Sequence, residues 1–341
     1  MSFHIRIEPA GITFMAEPGE RILEAALRQG VNLPFGCQAG DCGSCRGRIL
    51  DGALAYPDGR PRALTAAAEA AGEALFCRAV ATSDLRVQAS MTAPEGELRV
   101  RTMPARIEDM QRLSHDMMCL HLKIPEPPGF RFLAGQYIEV LGEDGRRRGF
   151  SLANAPGKGG PLELHIRHVP GGRFTDYVFN ELRPGAIWRI EGPLGGFWLR
   201  HDSDRPALLV GGGSGFAPLK GMLEQAFLDG VRRPLHLFWG AHRREDLYAH
   251  QQVLGWTARQ PDFRYTPVLV EPDDGWQGDT GLVTEAVLRH HPALDGLDVY
   301  MSGPPAMIEA GRALFLAHGL APESFFSDAF EFAPPARPAT R

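Results

Sequence analysis

No apolar run in this chain approaches the roughly 20 residues of a membrane-spanning helix, so nothing in it points to a membrane. An excess of one charge is missing too. The formal net charge is -5, and the arginines are interspersed with acids instead of forming a stripe, which argues against nucleic acid as a partner. Cysteine is sparse, at five in 341 residues, and no signal-like segment precedes the first of them. That points to reduced thiols in the cytoplasm and away from a secreted disulfide scaffold. There is no internal repeat. Ser151, Ser214 and Ser302 lack a neighbouring His and acid in a nucleophile arrangement, and the histidines are scattered or in ordinary surface company such as His290-His291. Hydrolysis is therefore not indicated. Redox work is compatible with this, because cofactors carry that chemistry and the chain only holds them in contact.

What is present is organised around Cys37-Gln38-Ala39-Gly40-Asp41-Cys42-Gly43-Ser44-Cys45, answered by Cys77. C-x4-C-x2-C with a distant fourth cysteine is the spacing of a plant-type [2Fe–2S] cluster, with Cys37, Cys42, Cys45 and Cys77 as its thiolate ligands. Gly40 and Gly43 suit a loop that brings backbone N–H groups close to sulfides. Zinc is the competing reading, but zinc sites pair short C-x2-C knuckles, and this spacing is too asymmetric.

A chain of this length exceeds one ordinary core. Its 44% hydrophobic and 23% charged content describes a globular protein with apolar material for several cores. Near the start, Phe3-His4-Ile5-Arg6-Ile7 and Ile12-Thr13-Phe14-Met15 alternate as a hairpin around Pro9-Ala10-Gly11. Residues 21–29 place Ile22, Leu23, Ala26 and Leu27 on one helical face, with Gly30 as the stop, and Leu85-Arg86-Val87 reads as a strand. Thr92-Ala93-Pro94-Glu95-Gly96 reads as a linker. After it come short runs around Val100, Ala105-Arg106-Ile107, Met118 to Leu122, Gln136 to Val140, Phe150-Ser151-Leu152 and Leu162 to Ile166, the pattern of an antiparallel barrel. Cys119 lies in one of these and reads as a core thiol; His165 and His168, flanking an apparent strand, read as structural. Beyond Arg200, strands at Ala207-Leu208-Leu209-Val210, 235–239, 265–270 and 299–301 alternate with helical stretches such as 219–228, which predicts a parallel α/β unit. The final Pro334-Pro335-Ala336-Arg337-Pro338 reads as a disordered tail.

Three further segments suit anions. Gly211-Gly212-Gly213-Ser214-Gly215-Phe216-Ala217-Pro218 follows a buried strand and opens a helix, presenting backbone N–H groups and a positive helix end to a pyrophosphate, although it is not G-x-G-x-x-G. Gly171-Gly172-Arg173-Phe174-Thr175 leads into a helix-like stretch, a second candidate phosphate site; a turn without a ligand is the alternative for each. Arg148, two residues before Phe150-Ser151, offers a guanidinium fork beside an aromatic face; the alternative is an exposed Arg of the basic turn Arg146-Arg147-Arg148.

Together with Gly192-Pro193-Leu194-Gly195, Trp239-Gly240-Ala241 and Ser302-Gly303-Pro304-Pro305-Ala306-Met307, these motifs run in the order found in the ferredoxin–NADP reductase superfamily, and from Phe3 to Phe330 the chain resembles it. The likeness extends to CDP-6-deoxy-Δ3,4-glucoseen reductase-like proteins and to the reductase components of multicomponent oxygenases. It implies a multidomain α+β and α/β protein: a β-grasp [2Fe–2S] ferredoxin domain over 1–92, a linker over 93–102, an antiparallel β-barrel FAD domain over 103–200, a parallel α/β NAD(P)-binding domain over 201–330 and a flexible tail over 331–341. It implies FAD held by Arg148 on the pyrophosphate, Gly149 and Phe150 against the flavin, and Ser151 near its N5, with Gly171, Gly172, Arg173 and Thr175 on flavin phosphate. Residues 211–215, Gly303 and Pro304 would take the pyridine nucleotide. Ser151, Ser302 and Phe330 would flank the reacting rings. Phe150 replaces the usual Tyr, and Ser302 stands where many relatives have Cys.

The activity implied is passage of a hydride pair from NADH or NADPH through FAD, then of single electrons through the cluster, to an oxygenase partner. A deoxysugar-pathway acceptor is the alternative, as is a non-enzymatic carrier or sensor with a degenerate nucleotide domain. Arg243 and Arg244 suit a 2′-phosphate, whereas the adjoining Glu245 and Asp246 suit a free ribose hydroxyl, and the reading leans to NADH.

Overall fold

The computed structural model describes residues 2–36, 38–41, 43–89, 98, 100–124, 130–157, 160–200 and 202–330. Cys37, Cys42, the linker at 92–96 and the tail at 334–338 therefore lie outside the described residues. Contacts group the chain into two units, Met1–Arg101 with Gly192–Phe197, and Thr102–Glu191 with Trp198–Arg341.

In the first unit β1 (Phe3–Glu8) and β2 (Ile12–Ala16) form the expected hairpin, and α1 (Ile22–Arg28) follows. Gly30, at φ +76°, takes the left-handed turn that ends this helix. The buried face of α1 carries Ala25 with Ile22, Leu23 and Ala26, while Leu27 is only half-buried. Then come β3 (Arg46–Asp51), β4 (Leu54–Ala55), α2 (Ala66–Ala70), β5 (Glu73–Leu75), β6 (Val80–Ala81) and β7 (Leu85–Gln88). The main sheet runs β2-β1-β7-β3-β5, with β1 and β7 parallel and the other pairs antiparallel. A mixed sheet holding one helix is the β-grasp arrangement, and Ile5, Ile7, Ile22, Leu23 and Val87 fill its core.

The second unit opens with β8 (Arg101–Arg112), β9 (Met117–Lys123), β10 (Tyr137–Leu141), β11 (Arg147–Ser151), β12 (Leu162–Arg167), α3 (Arg173–Asn180) and β13 (Ile187–Leu194). Their sheet order is β11-β10-β13-β8-β9-β12, and a bridge between Leu152 and Leu164 joins the two ends, closing a barrel. Its interior is Ile107, Leu120, Leu122, Ile138, Val140, Leu164, Ile166 and Ile190, capped by α3 through Val178. β8 is far longer than the short runs suggested, because its alternation continues into the polar stretch up to Arg112.

The remaining elements are β14 (Ala207–Gly212), α4 (Phe216–Leu228), β15 (Leu235–Ala241), α5 (His250–Thr257), β16 (Phe263–Leu269), β17 (Asp279–Thr280), α6 (Val283–His290), β18 (Asp298–Gly303), α7 (Pro305–Ala317) and β19 (Phe325–Ala329). They form a sheet of order β17-β16-β15-β14-β18-β19, all parallel. Strands covered on both faces read as continuous apolar runs, which is why β14 and β15 are legible in the sequence. α4 starts at Phe216, three residues before the expected Leu219. Most of it is buried, Lys220 included.

Candidate functional site

Cys45 precedes β3 and Cys77 follows β5, and the register of Arg46 opposite Leu75 brings both buried thiols to one end of that ladder. The Phe76 N–H donates to the Cys45 carbonyl at 3.1 Å. The loop that leads into Cys45 curls through Gln38, Gly40 and Gly43 at φ 55°, 89° and 76°. Gly40 is also required by packing, since a Cβ there would lie 2.7 Å from Pro61 Cβ. Beside the thiols the Tyr56 hydroxyl accepts from the Leu75 N–H at 3.1 Å. Burial pushes its pKa up, and the charges of Glu69, Cys45 and Cys77 add to this. Two buried thiols, Cys45 at the end of a tightly curled glycine loop and Cys77 beyond β5, fit the cluster expected there.

On the barrel, Arg148 and Phe150 project from β11 toward α3. Phe150 stacks on Phe174 at 5.7 Å between ring centroids, and the Arg148 guanidinium lies 4.8 Å from the same ring. The sequence motifs at 148–151 and 171–175 are therefore brought together, with Phe174 as their shared contact. Arg148 is not an idle surface charge: it donates a fork to Asp144 at 3.0 and 2.6 Å. The fork holds the Asp144 carboxyl well below the usual carboxylate range. Gly172 caps α3 where a Cβ would come within 2.9 Å of both Thr175 Oγ1 and the Val169 carbonyl oxygen. The Thr175 hydroxyl donates back to Gly172 O at 3.0 Å. Arg173 is exposed at the helix start, and Gly149 is under no steric demand, its Cβ meeting only the Tyr137 ring at 3.5 Å.

At the carboxyl ends of the parallel strands, Gly211, Ser302 and Asp328 stand side by side across β14, β18 and β19. Ser151 Oγ donates to Asp328 Oδ2 at 3.2 Å, so the 148–151 segment of the barrel and the parallel sheet meet at this point. Ser302 is fully buried, and its hydroxyl has no hydrogen-bond partner among the described residues. An orphaned buried hydroxyl beside a glycine turn fits a site completed by a polar ligand group. The turn is packed tightly: a Cβ on Gly215 would lie 2.0 Å from the Ser302 carbonyl oxygen, and one on Gly212 would lie 2.5 Å from Met307 Sδ. Gly303, at φ +148°, and Pro304, the N-cap of α7, form the other wall. The Phe330 N–H donates to the Gly303 carbonyl at 2.9 Å, which ties the terminal aromatic to that wall. Under the turn Trp239 stacks on Phe216 at 4.0 Å, and its indole N–H donates to the Gly213 carbonyl at 3.0 Å.

Arg243 pairs with Glu271 at 3.0 Å and Arg244 with Asp273 at 3.4 Å, so both arginines that follow β15 already face carboxylates.

Sequence reasoning missed three residues. Asp328 carries no local signal, because its role comes from strand register. Phe174 lay inside a quoted motif without a role. Lys220 had a signal, the lone cation of a mostly apolar helix, four residues before Glu224. It is buried, donates to the Ala153 carbonyl at 3.0 Å, and pairs with Glu163 at 3.0 Å and Glu224 at 2.7 Å. Burial works against its charge, but the two carboxylates prevail and raise its pKa. Glu163 also accepts from His165 Nε2 at 2.7 Å, which fixes the tautomer and leaves Nδ1 to accept from the Tyr248 hydroxyl at 3.0 Å. Burial holds His165 below its usual pKa; burial also works against the Glu163 charge, but the bond from His165 and the Lys220 ammonium outweigh it and lower the Glu163 pKa to about 2. The Cys119 thiol, on the same face, is pushed up to about 12, first by burial and then by Glu163.

Comparison with protein families matches residues 5–82 to a 2Fe-2S iron-sulfur cluster binding domain, 104–198 to an oxidoreductase FAD-binding domain and 209–313 to an oxidoreductase NAD-binding domain. The chain is 36% identical over 330 residues to the CDP-6-deoxy-L-threo-D-glycero-4-hexulose-3-dehydrase reductase of Yersinia pestis, covering 97% of this chain and 99% of that one. It is 33% identical over 339 residues to reductase component 1 of terephthalate 1,2-dioxygenase from Comamonas sp., covering 98% and 99%. Among solved structures it is similar to the Amycolatopsis cytochrome P450 reductase GcoB, at 33% identity and a TM-score of 0.79 over 96% of this chain and 98% of that one.

Proposed function

Because the chain belongs to the family of iron–sulfur flavoprotein reductases of the ferredoxin–NADP reductase superfamily, we propose that it is the cytoplasmic electron-supplying component of an oxygenase system. It is an NAD(P)H-dependent oxidoreductase with FAD and a [2Fe–2S] cluster. When bound, these groups supply the exchange between a hydride pair and single electrons. The chain supplies everything that places them. Cys45 and Cys77, with Cys37 and Cys42, would hold the cluster; Arg148, Phe150, Phe174 and the start of α3 would hold the flavin; residues 211–215, Gly303 and Pro304 would hold the nucleotide. We assign these roles to 1–92, 103–200 and 201–330 respectively.

The observation that carries the reading is the convergence of Ser151, Asp328 and Ser302 at the switch between barrel and parallel sheet. Ser151 O–H is oriented by the Asp328 carboxylate, which leaves the serine oxygen free to accept a hydrogen bond from a ring N–H. The buried Ser302 hydroxyl can bond a carboxamide, fixing which face of a nicotinamide is presented. The full burial of Ser302 excludes water from its side of the site. The pairing of Arg243 with Glu271 and of Arg244 with Asp273 favours NADH, because neither guanidinium faces the nucleotide alone. A sugar-dehydrase acceptor is the second reading, favoured by the 36% identity to such a reductase.

Anaerobic titration of the purified holoprotein with NADH tests the proposal. Flavin absorbance should bleach and a reduced-cluster EPR signal should appear, to be discharged on adding an oxygenase component. Bleaching without any cluster signal, or discharge by a dehydrase component alone, would overturn it.

A further inference from the structure

Lys220 is not among the residues assigned above to nucleotide or flavin, yet its surroundings link the segments proposed to hold them. It sits on α4, whose first turn is the glycine loop, and its ammonium donates to the carbonyl of Ala153, two residues beyond Ser151. The following residue is Gly221, where a Cβ would lie 3.0 Å from both the Leu152 and Asn154 carbonyl oxygens. Helix and strand end therefore meet backbone to backbone, with Lys220 spanning the joint.

A second path runs beside the first. Glu163 binds Lys220 and His165, His165 binds Tyr248, and Tyr248 lies edge-on to Trp239 at 5.1 Å, whose indole holds Gly213. Both paths start at the strand carrying Ser151 or its neighbour β12, and both end at the glycine turn. Glu224 completes the set, accepting from Lys220 and, at 3.4 Å, from the Ala155 N–H. Cys119, Glu163 and His165 also offer ligand atoms within 4.8 Å of one another, but the Lys220 ammonium already supplies the cation at that place, so they do not read as a metal centre.

We propose that Lys220 is a positioning residue for hydride transfer: its bonds to Ala153 and Glu163 set where the glycine turn, and hence the nicotinamide, stands relative to Ser151. This rests on the reductase reading above. A displacement of about 1 Å between reacting groups can cost up to about 100-fold in rate, so a tie at this joint has leverage on chemistry without touching substrate.

The test uses the full-length holoprotein and anaerobic stopped-flow bleaching of flavin by NADH. Lys220→Met should retain its flavin yet lower the bleaching rate at saturating NADH by about tenfold per bound flavin, with a fully expressed isotope effect from 4-deuterated NADH. Lys220→Arg, which keeps the charge and the donors, should recover to within about threefold. A merely structural lysine would instead lower the melting temperature and flavin content and leave the rate per flavin unchanged; that result overturns the proposal. If Lys220→Met does not fold, Glu163→Gln removes one of the two countercharges at nearly constant shape and should lower the same rate by about threefold, and an unaltered rate there is equally fatal. Absence of bleaching in the unmodified protein would sink the reductase reading instead, so the two failures are distinguishable.

Discussion

A single methyl group at Gly215 probes how the glycine turn is held. The backbone there has φ -59° and ψ -12°, which any residue adopts, so Gly215→Ala carries no conformational penalty. The cost is spatial. An added Cβ would lie 2.0 Å from the Ser302 carbonyl oxygen and 2.5 Å from its carbonyl carbon, both backbone atoms of β18, a strand paired on both sides. Restoring an ordinary 3.4 Å contact requires turn or strand to retreat by about 1.4 Å. Overpacking of this kind costs about 1–3 kcal/mol, or roughly 2–12 °C in Tm for a unit of this size. The same retreat shifts Ser302 relative to the turn, so NADH-driven bleaching at saturation should fall by about 10- to 100-fold. Thermal melts and stopped-flow absorbance measure the two effects. Gly157→Ala is the control, since a Cβ there would meet nothing within 4 Å and both readouts should stay near those of the parent. A Gly215→Ala protein melting within about 1 °C of the parent and bleaching within about twofold would refute the packing argument.

Asp144→Asn removes the carboxylate that occupies the Arg148 fork and should tighten FAD retention by about two- to fivefold in equilibrium dialysis; weaker retention would mean that Asp144 orients Arg148 for the flavin instead of competing with it. Glu271→Ala releases Arg243 and should raise kcat/KM for NADPH by about tenfold with a smaller change for NADH, whereas a parallel fall for both would exclude Glu271 from selectivity. Burial, reinforced by His291, His290 and Arg264, holds the His236 pKa down at about 3. In the unfolded chain a histidine titrates near 6.5, so between these values the unfolded state binds the extra proton, and stability falls as pH drops from about 7 toward 4. Melting temperatures across that range should show the decline, and His236→Gln should flatten it; equal slopes would show that other groups control it.

The parts legible in the sequence were those whose chemistry is local. The cysteine spacing, the Pro-Ala-Gly hairpin and the apolar run of Ala207 to Val210 each carry their own signal within a few residues. β13 was hidden because Ile187–Leu194 mixes Arg189, Glu191, Gly192 and Pro193 with its apolar residues. β19 was hidden because its pairing partner, β18, lies across a whole helix. The contact between Ser151 and Asp328 spans 177 positions, and no window of sequence can express it. The glycines of the turn were expected for their openness to phosphate. At Gly212 and Gly215 the structure adds a steric reason, the close approach of the β18–α7 junction.

Trp239 gives this architecture an optical consequence. Its indole is fully buried, stacked on the first residue of α4 and hydrogen-bonded to a carbonyl of the loop proposed to receive the dinucleotide. Any ligand that draws on that loop must perturb the same indole. The protein therefore carries an intrinsic fluorophore at its entry port, whose emission would register arrival of the reductant before any electron has moved.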